Sequence, residues 1–321
     1  MASVLITAVG GDIAQAAALI VRQRFPSWKI FGVDVETRHG GSLFVDSFDI
    51  APRADSPNYC DWLAGFIKQN KIDYCFPLSE AELSVLAVAS EEVQKTTKLI
   101  WAGSKAVLIG CDKFRTANFI NSIGLIAPWT MVADESSVPP NYPCIFKLRY
   151  SAGSKVVFIC NNISDVRFFC KRYPDAILQE YLSNNEAEIT CAVYRTTDGQ
   201  IRVLQMNRRL TGGLTGWARV VKDREVEMHC IKIAEELSLQ GAINIQLRLT
   251  ESGPRIFEVN PRFSSTLLMR HQAGFTDLYW ALKEAQGQHI LFDDPVDNGT
   301  TLVRTFGATV MPKDIRPIGA I

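Results

Sequence analysis

No apolar run in this chain reaches the ~18 residues that a membrane-spanning helix needs. The N-terminus runs straight into Val4-Leu5-Ile6 without a basic segment or a cleavage site, so no export signal is read there. The expectation is a cytoplasmic protein with no membrane partner. An excess of one charge is missing too. Lys+Arg and Asp+Glu both number 34 and the net charge is zero, which argues against a dedicated nucleic-acid or membrane-surface protein. A local basic cleft for a small anion stays open. Histidine is scarce: His39, His229, His271 and His289 are scattered and show no zinc-ligand spacing. The eight cysteines form no C-x-x-C pair, and several stand in apolar runs such as Cys144-Ile145-Phe146. Buried free thiols are expected rather than a disulfide framework.

Whole motifs are absent as well. There is no G-x-x-x-x-G-K-[ST] phosphate loop and no G-x-S-x-G nucleophile elbow. Gly10-Gly11 lacks the spacing of G-x-G-x-x-G, so a dinucleotide-binding oxidoreductase is poorly supported even with Asp34 in the ribose-reading place. What remains is an ordinary globular composition, 47% hydrophobic and 21% charged over 321 residues. That suits one multi-lobed unit or two to three small domains with a sizeable core.

The first hundred-odd residues alternate strand and helix signals. Strands are read at Ser3 to Val9, Lys29 to Val33 and Tyr74 to Pro77; helices at Ile13 to Arg24, Asp61 to Gln69 and Glu80 to Val93. Such alternation predicts a parallel sheet with helices on both faces, and ligands beyond the carboxyl ends of its strands. Asp112 can cap a helix to about Ser122, ended by Gly124. Strands then dominate: 145–150, 155–159, 176–181, 186–194, 201–207, 243–249 and 255–260, with a helix over 226–239. The fold class is therefore α/β followed by α+β lobes.

Four constellations carry candidate chemistry. In the last strand pair, even positions after Ala242 are polar, and Glu258 and Asn260 are even too. An odd-length loop, for example Thr250 to Pro254, would pair the strands so that Gln246, Glu258 and Asn260 share one face. Three oxygen-bearing side chains there suit a hard cation such as magnesium; a solvated polar face is the alternative. Lys147 stands in the apolar strand Cys144 to Tyr150, where an unpaired charge is costly. The small-residue loop Ser151-Ala152-Gly153-Ser154 follows it and could cradle phosphate, although a plain hairpin reads equally well. Glu186 and Glu188 share a strand face from which a carboxylate could hold ribose hydroxyls. Arg208-Arg209 leads into a Gly-rich stretch suited to a carboxylate or phosphoryl group.

The order of these pieces resembles the ATP-grasp superfamily: a strand Lys with a small-residue loop, Gln179-Glu180-Tyr181-Leu182 with a Glu shortly after, an Arg/Gly-rich segment, then Ile245-Gln246-Leu247 and Glu258-Val259-Asn260-Pro261-Arg262. The match looks closest to the ATP-grasp halves of the carbamoyl-phosphate synthase large subunit and to stand-alone carboxylate–amine ligases. It implies a Rossmann-like N-terminal domain followed by a two-lobed ATP-grasp fold. The segments are 1–111 for the first domain, 112–182 for a small lobe with its linker helix, and 183–321 for a large lobe with the metal site.

Carried over by position, Glu258 and Asn260 resemble magnesium ligands and Gln246 an accessory ligand, with manganese as an alternative ion. Arg262 resembles the group that stabilises the transferred phosphate. Lys113 and Lys147 look like the two basic residues on the nucleotide phosphates. Ser151, Gly153 and Ser154 correspond to the mobile flap. Glu180, Tyr181 and Leu182 resemble the adenine-contacting hinge. Glu186, or Glu188 in its place, resembles the ribose ligand. Arg208 and Gly213 look like acceptor-side groups, and the Gly10-Gly11-Asp12 loop with Pro77 to Glu80 resembles the part of the first domain that shapes the substrate cleft.

The resemblance implies an ADP-forming ligase that uses ATP and magnesium to join a small-molecule carboxylate, through its acyl phosphate, to an amine or less readily a thiol. A homodimer is compatible with it. A phosphotransferase and a non-catalytic ATP-binding regulator are the alternatives. The chain carries one ATP-grasp unit without a second half or a glutaminase, so full multistep synthesis of carbamoyl phosphate is not expected.

Overall fold

The computed structural model describes residues 2–151, 156–183, 187–292 and 294–310. Its first part contains β1 (Ser3–Thr7), α1 (Asp12–Arg24), β2 (Lys29–Asp34), β3 (Ser47–Ile50), α2 (Tyr59–Asn70), β4 (Tyr74–Phe76), α3 (Glu80–Ala89), α4 (Glu91–Gln94), β5 (Lys98–Leu99) and α5 (Ser104–Gly110). The strands pair in parallel in the order β3-β2-β1-β4-β5. β1 is buried along its whole length because both sheet faces are covered. The helix expected over 80–93 is two helices parted at Ser90. Ser79 and Glu82 close a reciprocal capping box that starts α3 just past the end of β4.

Next come α6 (Lys113–Ser122), β6 (Thr130–Ala133), β7 (Cys144–Leu148), β8 (Val157–Cys160), α7 (Ile163–Arg172) and β9 (Ala176–Glu180). The strands form an antiparallel sheet in the order β6-β9-β7-β8. α7 was not expected, although Asn162 caps it by accepting from the Ser164 and Asp165 amides. Phe158 and Phe169 stack at 4.1 Å beneath it. α6 falls in the segment expected for the small lobe, yet Ala117 and Ile120 pack into the core of the next sheet.

That sheet belongs to β10 (Ala187–Arg195), β11 (Ile201–Thr211), β12 (Leu214–Val221), α8 (Arg224–Glu236), β13 (Gly241–Thr250), β14 (Gly253–Asn260), α9 (Leu267–Gln272), α10 (Asp277–Ala285) and β15 (Thr301–Val303). The order is β14-β13-β10-β11-β12-β15. The Arg/Gly-rich stretch expected to bind an anion is a hairpin. Thr211 faces Leu214 across Gly212-Gly213, both at positive φ (59° and 81°), the pair a tight two-residue turn demands. Gly213 is thus a turn residue and exposed.

One face of this sheet carries Ile189, Cys191, Val193, Ile243, Ile245, Leu247, Ile256 and Val259 into a core with α6 and α8. The other face changes character along its strands. Ala192, Tyr194, Leu204, Met206 and Ala242 pack towards the first domain and α10. A few residues further along the same strands, that face is polar and lines a cleft under the small lobe.

Candidate active site

The polar part of the face is built in cross-strand rows, since direct partners in a sheet point the same way. One row is Thr190, Gln246 and Glu258, on β10, β13 and β14. Behind it, towards the first domain, lie Ala192, Asn244 and Asn260; in front lie Glu188, Arg248 and Arg255.

The register reaches this arrangement by a different route from the five-residue loop expected at 250–254. The hairpin closes on two residues, with Thr250 paired to Gly253, and Leu247 faces Ile256. Continued unbroken, that register would turn Glu258 into the core. A bulge at Phe257 shifts it by one residue, so Gln246 faces Glu258 and Asn244 faces Asn260. The alternation read from sequence is corrected accordingly: Ile256 and Val259 face the core, and Phe257 lines the cleft beside Glu258.

The roof comes from the small lobe. Lys147, at the end of β7, is 8% exposed. Its ammonium lies 5.8 Å from the Phe257 ring centre and, among the described residues, has no hydrogen-bond or ion-pair partner. Burial pushes it down to about 8, partly offset by Glu258 and reinforced by Lys113. Lys113 opens α6, which Asp112 caps through the Phe114 and Arg115 amides. The same Asp112 carboxylate holds Arg149 (2.8 and 2.6 Å), tying the helix start to the end of β7. Lys113 Nζ donates to the Ser151 carbonyl at 2.5 Å and stands 3.8 Å from Glu258 Oε1. The two ammonium groups and the Glu258 carboxylate therefore meet at a cleft open to solvent.

Lys113, Lys147, Ser151, Glu180, Tyr181, Leu182, Glu188, Arg208, Gln246 and Glu258 all line this cleft. Gly153, Ser154 and Glu186 lie outside the described residues. Asn260 sits one row behind on the same face, 7% exposed and opposite Asn244, and does not line this cleft. Arg262 lines a neighbouring cavity and is paired to Glu80 of the first domain at 2.8 Å. Arg208 donates to Glu188 Oε1 (2.9 and 2.8 Å) and to Gln246 Oε1 (2.8 Å). Sequence reasoning missed three contributors. Arg248 also lines the cleft and binds Glu188, Arg255 binds Glu180, and Phe257 completes the wall. Arg248 continued the even polar series on β13, so its signal was present.

Against known families, residues 4–100 match the model described as PylC-like, N-terminal domain. Residues 172–304 match the model described as ATP-grasp in the biosynthetic pathway with Ter operon. The chain belongs to the ATP-grasp superfamily. A carbamoyl-phosphate synthase of Methanobrevibacter smithii is 22% identical over 241 residues, 69% of this chain and 64% of that relative's length. The chain thus matches less than two thirds of the relative. Among solved structures, an ADP complex of N5-carboxyaminoimidazole ribonucleotide synthetase superposes with a TM-score of 0.73 at 16% identity, covering 94% of this chain and 79% of that one. The biotin carboxylase domain of Hydrogenobacter thermophilus 2-oxoglutarate carboxylase, with MgADP, ADP and bicarbonate, gives 0.73 at 15% identity, covering 93% and 73%. At these identities the likeness is one of fold: a Rossmann-like domain followed by the two ATP-grasp lobes.

Proposed function

We propose that the chain is an ADP-forming ligase that activates a small-molecule carboxylate with ATP and joins it to an amine. The observation that carries this reading is Lys147. An ammonium buried with no hydrogen-bond or ion-pair partner among the described residues is costly, and an anion in the cleft would relieve it. Lys113 flanks the same space, so the cleft suits a polyanion such as a nucleotide phosphate chain. Tyr181 and Leu182 line it from the connector between the lobes, where a nucleobase would rest.

A magnesium ion fits the donor set. Among the described residues no group of three or more His, Cys, Asp or Glu could hold a metal. Magnesium does not need one, because it is held by one or two carboxylates together with substrate phosphates. Glu258 supplies the carboxylate, Gln246 an amide oxygen and Asn260 a second from the row behind. When bound, the ion neutralises charge on the transferring phosphoryl group. Lys147 and Lys113 hold the phosphate oxygens and orient the chain between the lobes. Arg262, once released from Glu80, would stabilise the transferred phosphate, and Arg208 would serve the acceptor side. Catalysis by these groups is positioning and charge neutralisation.

The test offers a panel of carboxylic acids with ATP, magnesium and hydroxylamine. An acyl phosphate is trapped as the hydroxamate while ADP accumulates. Release of AMP and pyrophosphate would overturn the reaction class. ADP formation with a phosphorylated product and no need for an amine would favour a phosphotransferase, and tight ATP binding without turnover a regulator.

A further inference from the structure

Arg248 and Arg255 are direct cross-strand partners on β13 and β14. Like charges placed opposite one another destabilise a sheet unless each is compensated. Both are largely buried, with side chains 16% and 17% exposed. Their compensation comes from the two ends of one segment, the connector that leaves the small lobe after β9 and enters the large lobe at β10. Arg255 Nη2 donates to Glu180 Oε2 at 2.5 Å, on the last residue of β9. Arg248 donates to the Ser183 carbonyl at 2.6 Å and to Glu188 Oε2 at 2.9 Å.

The chain's other passage between the lobes, into β6, meets the same arginine. Arg255 Nη2 also reaches the Ala127 carbonyl at 3.4 Å. The Glu180 carboxylate that it holds accepts from the Trp129 amide at 3.1 Å. One residue on, the Ile256 amide donates to Ile126 at 3.1 Å. Entry and exit of the small lobe are therefore drawn together at one guanidinium.

We propose that Arg248 and Arg255 are positioning residues of the interlobe hinge. They hold the connector from Glu180 to Ser183 and so set the angle at which Tyr181 and Leu182 face a nucleobase. Arg255 does not line the cleft, and Arg248 meets it beside Glu188. Arg255 gathers the two crossings of the small lobe at one point, and Arg248 fixes the far end of the described connector. The inference rests on the nucleotide reading above only for its second measurement.

The first measurement is amide hydrogen exchange in the free protein. In Arg255→Met and Arg248→Met, exchange across residues 177–183 rises about tenfold while β1 to β5 stay protected, as expected when a local restraint is lost. Arg255→Lys recovers part of the protection, since one ammonium can pair with Glu180 but not also reach Ala127. Glu180→Gln reproduces the Arg255→Met pattern, and the double variant adds nothing further. The second measurement is ATP kinetics in Arg255→Met, whose side chain lies outside the cleft wall: KM rises about tenfold with kcat within about twofold, the signature of lost uniform binding. Unchanged exchange in Arg255→Met, or a rise shared equally with the first domain, overturns the hinge. A loosened connector with unchanged KM overturns the positioning role and leaves the nucleotide reading standing. A wild-type chain without ATP turnover defeats the nucleotide reading, and the exchange result still decides the hinge.

Discussion

Gln246 and Glu258 face each other across two strands whose hairpin closes in the register that would part them; the extra residue, Phe257, restores the pairing. Glu258 also stands 3.8 Å from Lys113 and favours the charged form of Lys147.

Glu258→Ala is expected to remove turnover and spare the fold. The side chain is 22% exposed and its contact with Lys113 is loose, so stability should change by only about 1 kcal/mol. Losing the ion's carboxylate forfeits several kcal/mol of transition-state stabilisation, or about a thousandfold in kcat. Gln246→Ala should be milder, because water can replace an accessory amide. Steady-state ADP release and thermal melts of both variants test this. A fully active Glu258→Ala protein would falsify the metal assignment.

Much of this site was legible because β-strands write their faces as alternation. Asn244, Gln246 and Arg248 stand two apart, and Lys147 is conspicuous in an apolar strand. What alternation cannot show is a bulge, since inserting Phe257 leaves the run of residue types intact while moving Ile256 to the core and Phe257 to the cleft. Nor can spacing show partnership. Arg262 is bonded to Glu80, 182 residues away, and Arg255 to Glu180 across two lobes. The first sheet was readable from its buried apolar runs. That Gly212-Gly213 turns a hairpin was not legible, because glycines that turn a chain and glycines that admit a phosphate look alike in sequence.

Lys147 gives the cleft a pH signature. Its ammonium is pushed from the ordinary 10.5 down to about 8 by burial, so between about pH 8 and 10.5 the unfolded chain holds more protons than the native one. By linkage, stability from this group rises with pH across that window. Nucleotide affinity runs the other way. A bound phosphate restores the ammonium, so at about pH 9 ATP binding takes up a proton, and affinity weakens as pH climbs past about 8. Calorimetry in buffers of different ionisation enthalpy counts that proton. Lys147→Met should abolish the uptake; an identical proton count in that variant removes Lys147 from the phosphate site.

Gly110 ends α5 where the helix meets the segment bearing Asn260 and Arg262. A Cβ there would lie 2.8 Å from both the Val259 carbonyl and Pro261 Cδ. Backbone and a proline ring cannot yield as a flexible side chain would, so Gly110→Ala must push the strand end away from the helix. About 1–3 kcal/mol of destabilisation is expected from the overpacking. Turnover should fall further than this accounts for, because the displaced segment carries site residues. Activity measured well below the melting temperature separates the two effects, and full activity with a lowered melting point would show that the segment does not need this packing.

Arg270 and Asp277 form the most deeply buried ion pair among the described residues, with side chains 1% and 0% exposed. The guanidinium binds Asp277 at 2.7 Å through Nη2 and donates from Nη1 to Ser264 and Thr266, at 3.0 and 2.9 Å. The pair thus staples α9 and α10 to the stretch that follows Arg262 and Phe263. Asp277→Asn leaves a buried cation without its counter-charge, which typically costs about 3–5 kcal/mol. Replacing both partners by apolar residues, Arg270→Met with Asp277→Leu, should recover most of that loss, since the desolvation of both charges disappears with them. Urea titrations of the single and double variants, compared at constant m-value, provide the measurement. A single variant as stable as the parent, or a double variant less stable than the single, would show that Ser264 and Thr266 rather than Asp277 hold this segment in place.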